Sequence, residues 1–182
     1  MPGILKNASY LAVSALALFC SIVFVPGSTA WGGGEQGAQP KKPRFELAGQ
    51  LVKDNRMGLV WPVNGSLTKE SFSWNGAFEY IGVLNRERFA GSNTWRLPTK
   101  EEFQSLVEYA RSLGYDGGGP ESAIAAGLRT AGFSNIREAE YWSSTTSLYN
   151  AADAWFVSMT SGSAGMGDKN LYLAVWPVRS GR

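Results

Sequence analysis

The last forty or so residues set the terms for the whole chain. Residues 141–181 read YWSSTTSLYNAADAWFVSMTSGSAGMGDKNLYLAVWPVRSG. Tyr141, Trp142, Trp155, Val157, Val175, Trp176 and Val178 are large, apolar and strand-forming. Between them lie small or polar stretches, 148–153 and 161–170, whose residues no packing rule dictates. The pattern predicts three strands carrying two loops, and permissive loops on a rigid frame are a common way to build a recognition surface. Alternation along 155–159 places Trp155, Val157 and Met159 on one face and turns Phe156 and Ser158 to the other, outward one.

That frame has to hold by packing alone. The chain has no histidine, and its single cysteine, Cys20, sits in an apolar N-terminal run. Residues 11–25 are almost wholly apolar, Pro26-Gly27 breaks the run, and Ser28 and Ala30 fit the small-residue positions of a signal peptidase site. A cleaved leader, residues 1–30, is therefore expected. The run is shorter than the roughly 20 residues of a spanning helix, so no transmembrane segment is expected after cleavage. Phe19 stands before Cys20 where a lipoprotein leader requires a small residue. An exported protein, periplasmic, cell-surface or secreted, is the expectation.

The remaining chain is long enough for one domain with a real core. It carries 16 basic against 15 acidic residues once the leader's Lys6 is removed. With no basic stripe, nucleic acid is not an expected partner. Without His or Cys there is no disulfide, no thiol nucleophile, no Ser-His or Cys-His pair, and no soft-ligand site for zinc, copper or haem. No cofactor is expected; a hard cation held by oxygen atoms alone, such as calcium, is the one kind of metal the composition leaves open. Glu138 with Glu140, and Asp153 with Asp168, are the carboxylate pairs left for catalysis, and nothing in the sequence places either around a substrate. The chain does not read as an enzyme. A carboxylate-dependent hydrolase and a purely structural surface or matrix component are the competing readings.

Upstream, residues 31–44 are rich in Gly, Pro and Gln and read as a flexible tether, leaving 45–182 as the domain. Residues 45–52 suggest a strand interrupted at Gly49, and KDNRMG a turn, with Asp54 and Asn55 as turn formers. Leu59, Val60 and Trp61 complete a hairpin closed by Pro62. Thr68 reads as the N-cap of a helix bearing Phe72, Trp74, Phe78, Ile81 and Leu84 and fading near Arg88. Thr99 and Glu102 form a capping box for a second helix, with Phe103, Leu106, Val107 and Ala110 on its buried face and Gly114 at its end. Trp95, Leu97 and Pro98 precede it as an extended connector, in which Arg96 needs a carboxylate or carbonyl partner. Pro120 opens a short helix over 121–131, stopped by Gly132.

In this order, DNRMGLVW, TWRLPTKEEFQSL, YWSSTT, AWFVSM and VWPVRSG resemble the Lcl C-terminal domain family of exported bacterial, adhesin-like domains. The resemblance spans 45–181. It implies an α+β, C-type-lectin-like fold with two main helices, a small twisted antiparallel sheet, and N- and C-terminal strands paired. RLPT before a helix also resembles formylglycine-generating and related sulfatase-modifying enzymes, whose active-site cysteines this domain lacks. Calcium-dependent sugar binding in this fold uses Glu-Pro-Asn or Gln-Pro-Asp with Trp-Asn-Asp, and none of these occurs. The resemblance thus implies a binding module that reads a protein or glycan on another cell or surface with side chains alone. The tail also resembles the variable proteins of diversity-generating retroelements. On that reading Trp142, Trp155, Lys169, Trp176 and Pro177 are frame. The displayed, ligand-binding positions are then Tyr149, Asn150, Asp153, Phe156, Ser158, Met166, Asp168, Leu171 and Tyr172.

Overall fold

The computed structural model describes residues 42–119 and 123–181. The expected leader, most of the tether, and Pro120 and Glu121 lie outside them. The domain starts with three strands, β1 (Phe45–Ala48), β2 (Leu51–Asp54) and β3 (Leu59–Pro62). The stretch 45–52, expected as one interrupted strand, is two. Gly49 adopts φ +62°, the left-handed region open to glycine, and Ala48 pairs with Leu51 across the two-residue turn. β2 and β3 form the expected hairpin, with Val52 opposite Trp61. A last short strand, β7 (Arg179–Ser180), pairs antiparallel with β3, so the two ends of the domain meet as the resemblance implied.

Arg44, grouped with the tether in sequence, is bound to the domain. Its guanidinium donates to Asp54 Oδ2 at 2.9 Å and to the Ser105 hydroxyl and carbonyl at 2.8 and 3.0 Å. Asp54 is buried and also accepts from the Arg56 N–H, so its place in the turn is fixed by an ion pair as well as by the backbone.

Helix α1 (Trp74–Arg86) begins at Trp74 and not after Thr68, with Ser73 accepting from the Gly76 N–H at 3.2 Å. Phe72 is held out of the helix because its N–H and C=O pair with Leu173 at 2.9 and 3.0 Å. Thr68 instead closes a local turn, accepting from the Glu70 N–H. Helix α2 (Lys100–Ser112) has the expected capping box and buried face, and Gly114 beyond it takes φ +92°. Arg96 finds its partner in that box: two N–H···O bonds of 2.8 and 2.6 Å reach the Glu102 carboxylate, and a third reaches the Leu97 carbonyl. Donating to the Glu102 carboxylate holds the guanidinium above its ordinary pKa. Helix α3 (Ile124–Thr130) is shorter than the 121–131 span expected; the Ile124 and Ala125 N–H groups donate to Thr160 and Met159.

A second sheet holds β4 (Glu140–Thr146), β5 (Asp153–Ser158) and β6 (Ala164–Asp168), in the order β4-β5-β6. The architecture is α+β with two antiparallel sheets in place of the single small one expected. β6 falls within 161–170, expected as a loop. Its glycines are there for packing: a Cβ on Gly165 would stand 2.6 Å from the Phe156 ring. The expected strand over 175–178 is instead a run with isolated bridges on either flank, Ala174 to Tyr141 and Val178 to Arg96.

Trp176 lies between these layers, fully buried. Its ring is 5.3 Å from Trp61, 5.1 Å from Phe133 and 6.1 Å from Tyr141, and its indole N–H donates to the Pro62 carbonyl at 3.2 Å. The same burial pushes the Tyr141 phenol up to about 12, against the opposing N–H bond from Arg137. With no disulfide available, Trp176→Ala is expected to cost about 3–5 kcal/mol, read as a lowered urea midpoint with little change in slope.

Candidate functional site

The loop over 147–153 joins β4 to β5 and is stiffened from within. The Ser147 hydroxyl accepts from the Tyr149 and Asn150 N–H groups at 3.1 and 3.3 Å. Asn150 bridges the loop, accepting from the Ala152 N–H and donating to Asp153 Oδ2, both at 3.1 Å. From outside, Lys169 clamps it: Nζ donates to the Ala151 carbonyl at 2.6 Å and its N–H to the Ala152 carbonyl at 2.9 Å. The same ammonium lies 4.5 Å from the centre of the Trp74 ring, which in turn donates its indole N–H to the Ser143 carbonyl. On this ordered loop Leu148 is 96% exposed and Tyr149 89% exposed.

Beside the loop is a cleft of about 540 Å³ between the start of α2 and the end of β4, lined by Lys100, Thr145, Thr146, Leu148, Tyr149 and Trp155 among others. Trp155 is half-buried, and the Lys100 ammonium sits 4.3 Å from its ring centre. Lys100 is joined to the sheet by its N–H, which donates to the Thr145 hydroxyl at 3.0 Å, and its ammonium lies 3.5 Å from the Glu101 carboxylate. The Glu101 backbone N–H at the helix start holds that carboxyl below the usual range. A wall of two aromatics, an aliphatic knob, hydroxyls and one ion pair suits a ligand held by apolar contact and oriented by a few hydrogen bonds. Two larger hollows, of about 780 and 600 Å³, have no aromatic lining among the described residues, and their arginines are engaged with Asp54, Glu108 and the Glu70 carbonyl.

The structure distributes the expected binding residues unevenly. Tyr149 and Asn150 sit on the loop tip, Asp153 at its base, and Asp168 directly opposite Asp153 across the β5–β6 ladder. Met166 is exposed and faces Trp155 across the same ladder. Leu171 is exposed but leans over Gly167, and Tyr172 is 72% exposed. Two residues depart from the outward face that alternation assigned them. Ser158 is 6% exposed, its hydroxyl accepting from the Thr160 and Ser161 N–H groups, because β5 ends there in a tight turn that consumes the side chain. Phe156 is half-buried against Trp142, with centroids 6.4 Å apart, and its ring covers Gly165. Trp155, expected as frame, faces the cleft instead. Leu148, Lys100 and Thr145 went unnoticed in the sequence. Leu148 had a signal, an apolar residue inside a Ser-Leu-Tyr-Asn turn; the other two are brought to the cleft only by tertiary packing. Of the carboxylate pairs, Glu138 is engaged by Arg129 at 3.4 Å.

The model of the Lcl C-terminal domain family matches residues 50–179, which holds the whole cleft and all nine expected binding positions. No curated protein matches the chain.

The clamp makes a measurable difference. Replacing Lys169 by Met is expected to speed amide exchange across 149–153 at least tenfold, while global stability changes by less than about 1 kcal/mol, as for other exposed polar contacts. Equal protection in the variant would show that the loop is held by its own Ser147 and Asn150 bonds.

Proposed function

Because the chain belongs to the Lcl C-terminal domain family, we propose that it is an exported, non-enzymatic, adhesin-like domain that binds a protein or glycan on another surface. The ledge formed by the 147–153 loop and Trp155 is its binding face. One observation carries the reading: Leu148 and Tyr149 stand in water on a loop that side-chain bonds and Lys169 hold still. Ordering a loop costs conformational entropy, and these two side chains return none of it through packing in the domain itself. Rigid aromatic and aliphatic groups presented this way give contact area at low entropic cost on binding. Trp155 extends the apolar surface, and the Thr145 and Thr146 hydroxyls border it. The C-type-lectin-like fold implied by the resemblance accords with a face of this kind.

The catalytic alternative lacks a comparable support. Asp153 and Asp168 do stand opposite each other, but in an open ladder where Asp153 is bound by Asn150 and Asp168 accepts from the Asn170 N–H. Diversification by a retroelement is the sharper form of the binding reading, supported by the exposure of Tyr149, Met166, Leu171 and Tyr172. It requires a reverse-transcriptase gene and an adenine-rich template repeat of this segment at the locus, and a locus without them overturns it.

The binding face is tested with the paired variant Leu148→Ser/Tyr149→Ala on arrays of cell-surface glycans and proteins. Both side chains are exposed, so stability is expected to stay within about 0.5 kcal/mol of the parent. Binding to any array component that the parent recognises is expected to fall at least tenfold. Retention of every interaction would mean that this ledge is not the face used.

A further inference from the structure

Strand β6 is an edge. It pairs with β5 on one side, and among the described residues no strand pairs with the other. Lys169 N–H donates to Ala152 and Ser158 N–H to Ser163, which fixes the phase of the ladder. Gly165 and Gly167 therefore direct their N–H and C=O groups to β5, and Ala164, Met166 and Asp168 direct theirs outward. The Asp168 carbonyl is used by the Leu171 N–H; the N–H groups of Ala164, Met166 and Asp168 and the carbonyls of Ala164 and Met166 have no partner among the described residues. Edge strands are usually blunted by Lys, Pro or a bulge. Ala164-Gly165-Met166-Gly167-Asp168 has none of these, and its one charge is at the end.

We propose that this edge joins the β6 edge of a second copy of the chain, antiparallel and centred on Met166, to make one six-stranded sheet across a twofold axis. The sequence of the strand favours that occupant over a foreign strand. Centring on Met166 sets Ala164 opposite Asp168 of the second copy, so no like charges meet. Met166 N–H and C=O exchange bonds with the same groups of the other copy, and the Asp168 N–H donates to the Ala164 carbonyl on each side. Trp155 already faces Met166 across the ladder, so the joined sheets carry a row of Trp155, Met166, Met166 and Trp155 on one face. Thioether–thioether and thioether–indole contacts of this kind add apolar burial to main-chain bonding. On the opposite face Gly165 and Gly167 add no side chains of their own, and the Phe156 ring and Leu171 lie over them. A strand pair this short buries less than the roughly 1,200 Å² of a standard interface, so a reversible dimer in the micromolar range is expected. It shares Trp155 with the ledge but neither Leu148 nor Tyr149, so the Leu148→Ser/Tyr149→Ala pair tests the ledge without touching the joined edge.

Light scattering on the full chain over a concentration series tests this directly, with a rise from one to two chain masses expected. Met166→Pro removes only an outward N–H and breaks no bond to β5, so it is expected to leave far-UV circular dichroism unchanged and the chain monomeric. In a Cys20→Ser background, Met166→Cys is expected to form an intermolecular disulfide, since directly opposed residues of a hydrogen-bonded pair lie about 5.5 Å apart at Cα. Leu148→Cys in the same background is expected not to. A chain that stays monomeric at every concentration, with no more disulfide at position 166 than at 148, overturns the proposal and leaves the edge to a foreign strand. Dimers that persist in Met166→Pro and cross-link equally at both positions overturn it too.

Discussion

The packing of Trp176 is the joint on which the rest depends. It touches Trp61 of β3, Phe133 in the approach to β4 and Tyr141 of β4, and its indole N–H closes on the Pro62 carbonyl. Two sheets that share no strand are thereby fastened through one side chain. Other indoles work the same way: Trp142 donates to the Phe72 carbonyl, Trp95 to that of Phe89 and Trp74 to that of Ser143, each at 2.8 Å. Tryptophan combines large buried area with one donor, so it can fill a core and tie off a stray carbonyl in the same position. In a domain without disulfides this is how distant segments are cross-linked.

The segment Trp95 to Thr99 translates that core into a position for the cleft. Trp95 and Leu97 are buried in one hydrophobic cluster, while the helix that follows buries its face in the other. Arg96 points away and is caught by Glu102, the residue that also caps the helix. The start of α2 is thus held at both the backbone and the side chain. Lys100 is delivered to Thr145 and Trp155, and the loop beyond β4 is then anchored by Lys169 against Trp74. The exposed pair Leu148 and Tyr149 is the end of a chain of rigid contacts that begins in the core.

The glycine-rich strand β6 shows where local pattern misleads. Ala-Gly-Met-Gly-Asp has little strand propensity, and 161–170 reads as a loop for that reason. The glycines are required by the Phe156 ring above them, a neighbour on β5 whose overlap appears only once the ladder is in register. Ser158 fails the alternation rule for a related reason: the strand ends there and its hydroxyl is spent on the turn. Phe72 is likewise drawn from helix α1 by Leu173, a hundred residues away along the chain.

What the sequence determined by itself was local or compositional. The capping box of Thr99 and Glu102, the helix face behind it, the β2–β3 hairpin, the need of Arg96 for a partner and the absence of thiol and imidazole chemistry follow from residue type and spacing of a few positions. Only the tertiary structure decided which side chains reach solvent together. Trp155 faces the cleft, Ser158 is buried and Phe156 half-buried, Lys100 reaches the cleft and Lys169 the loop, because exposure and cross-sheet contact depend on neighbours far apart in the chain. Spacing specifies an element; what covers that element is specified by everything folded against it.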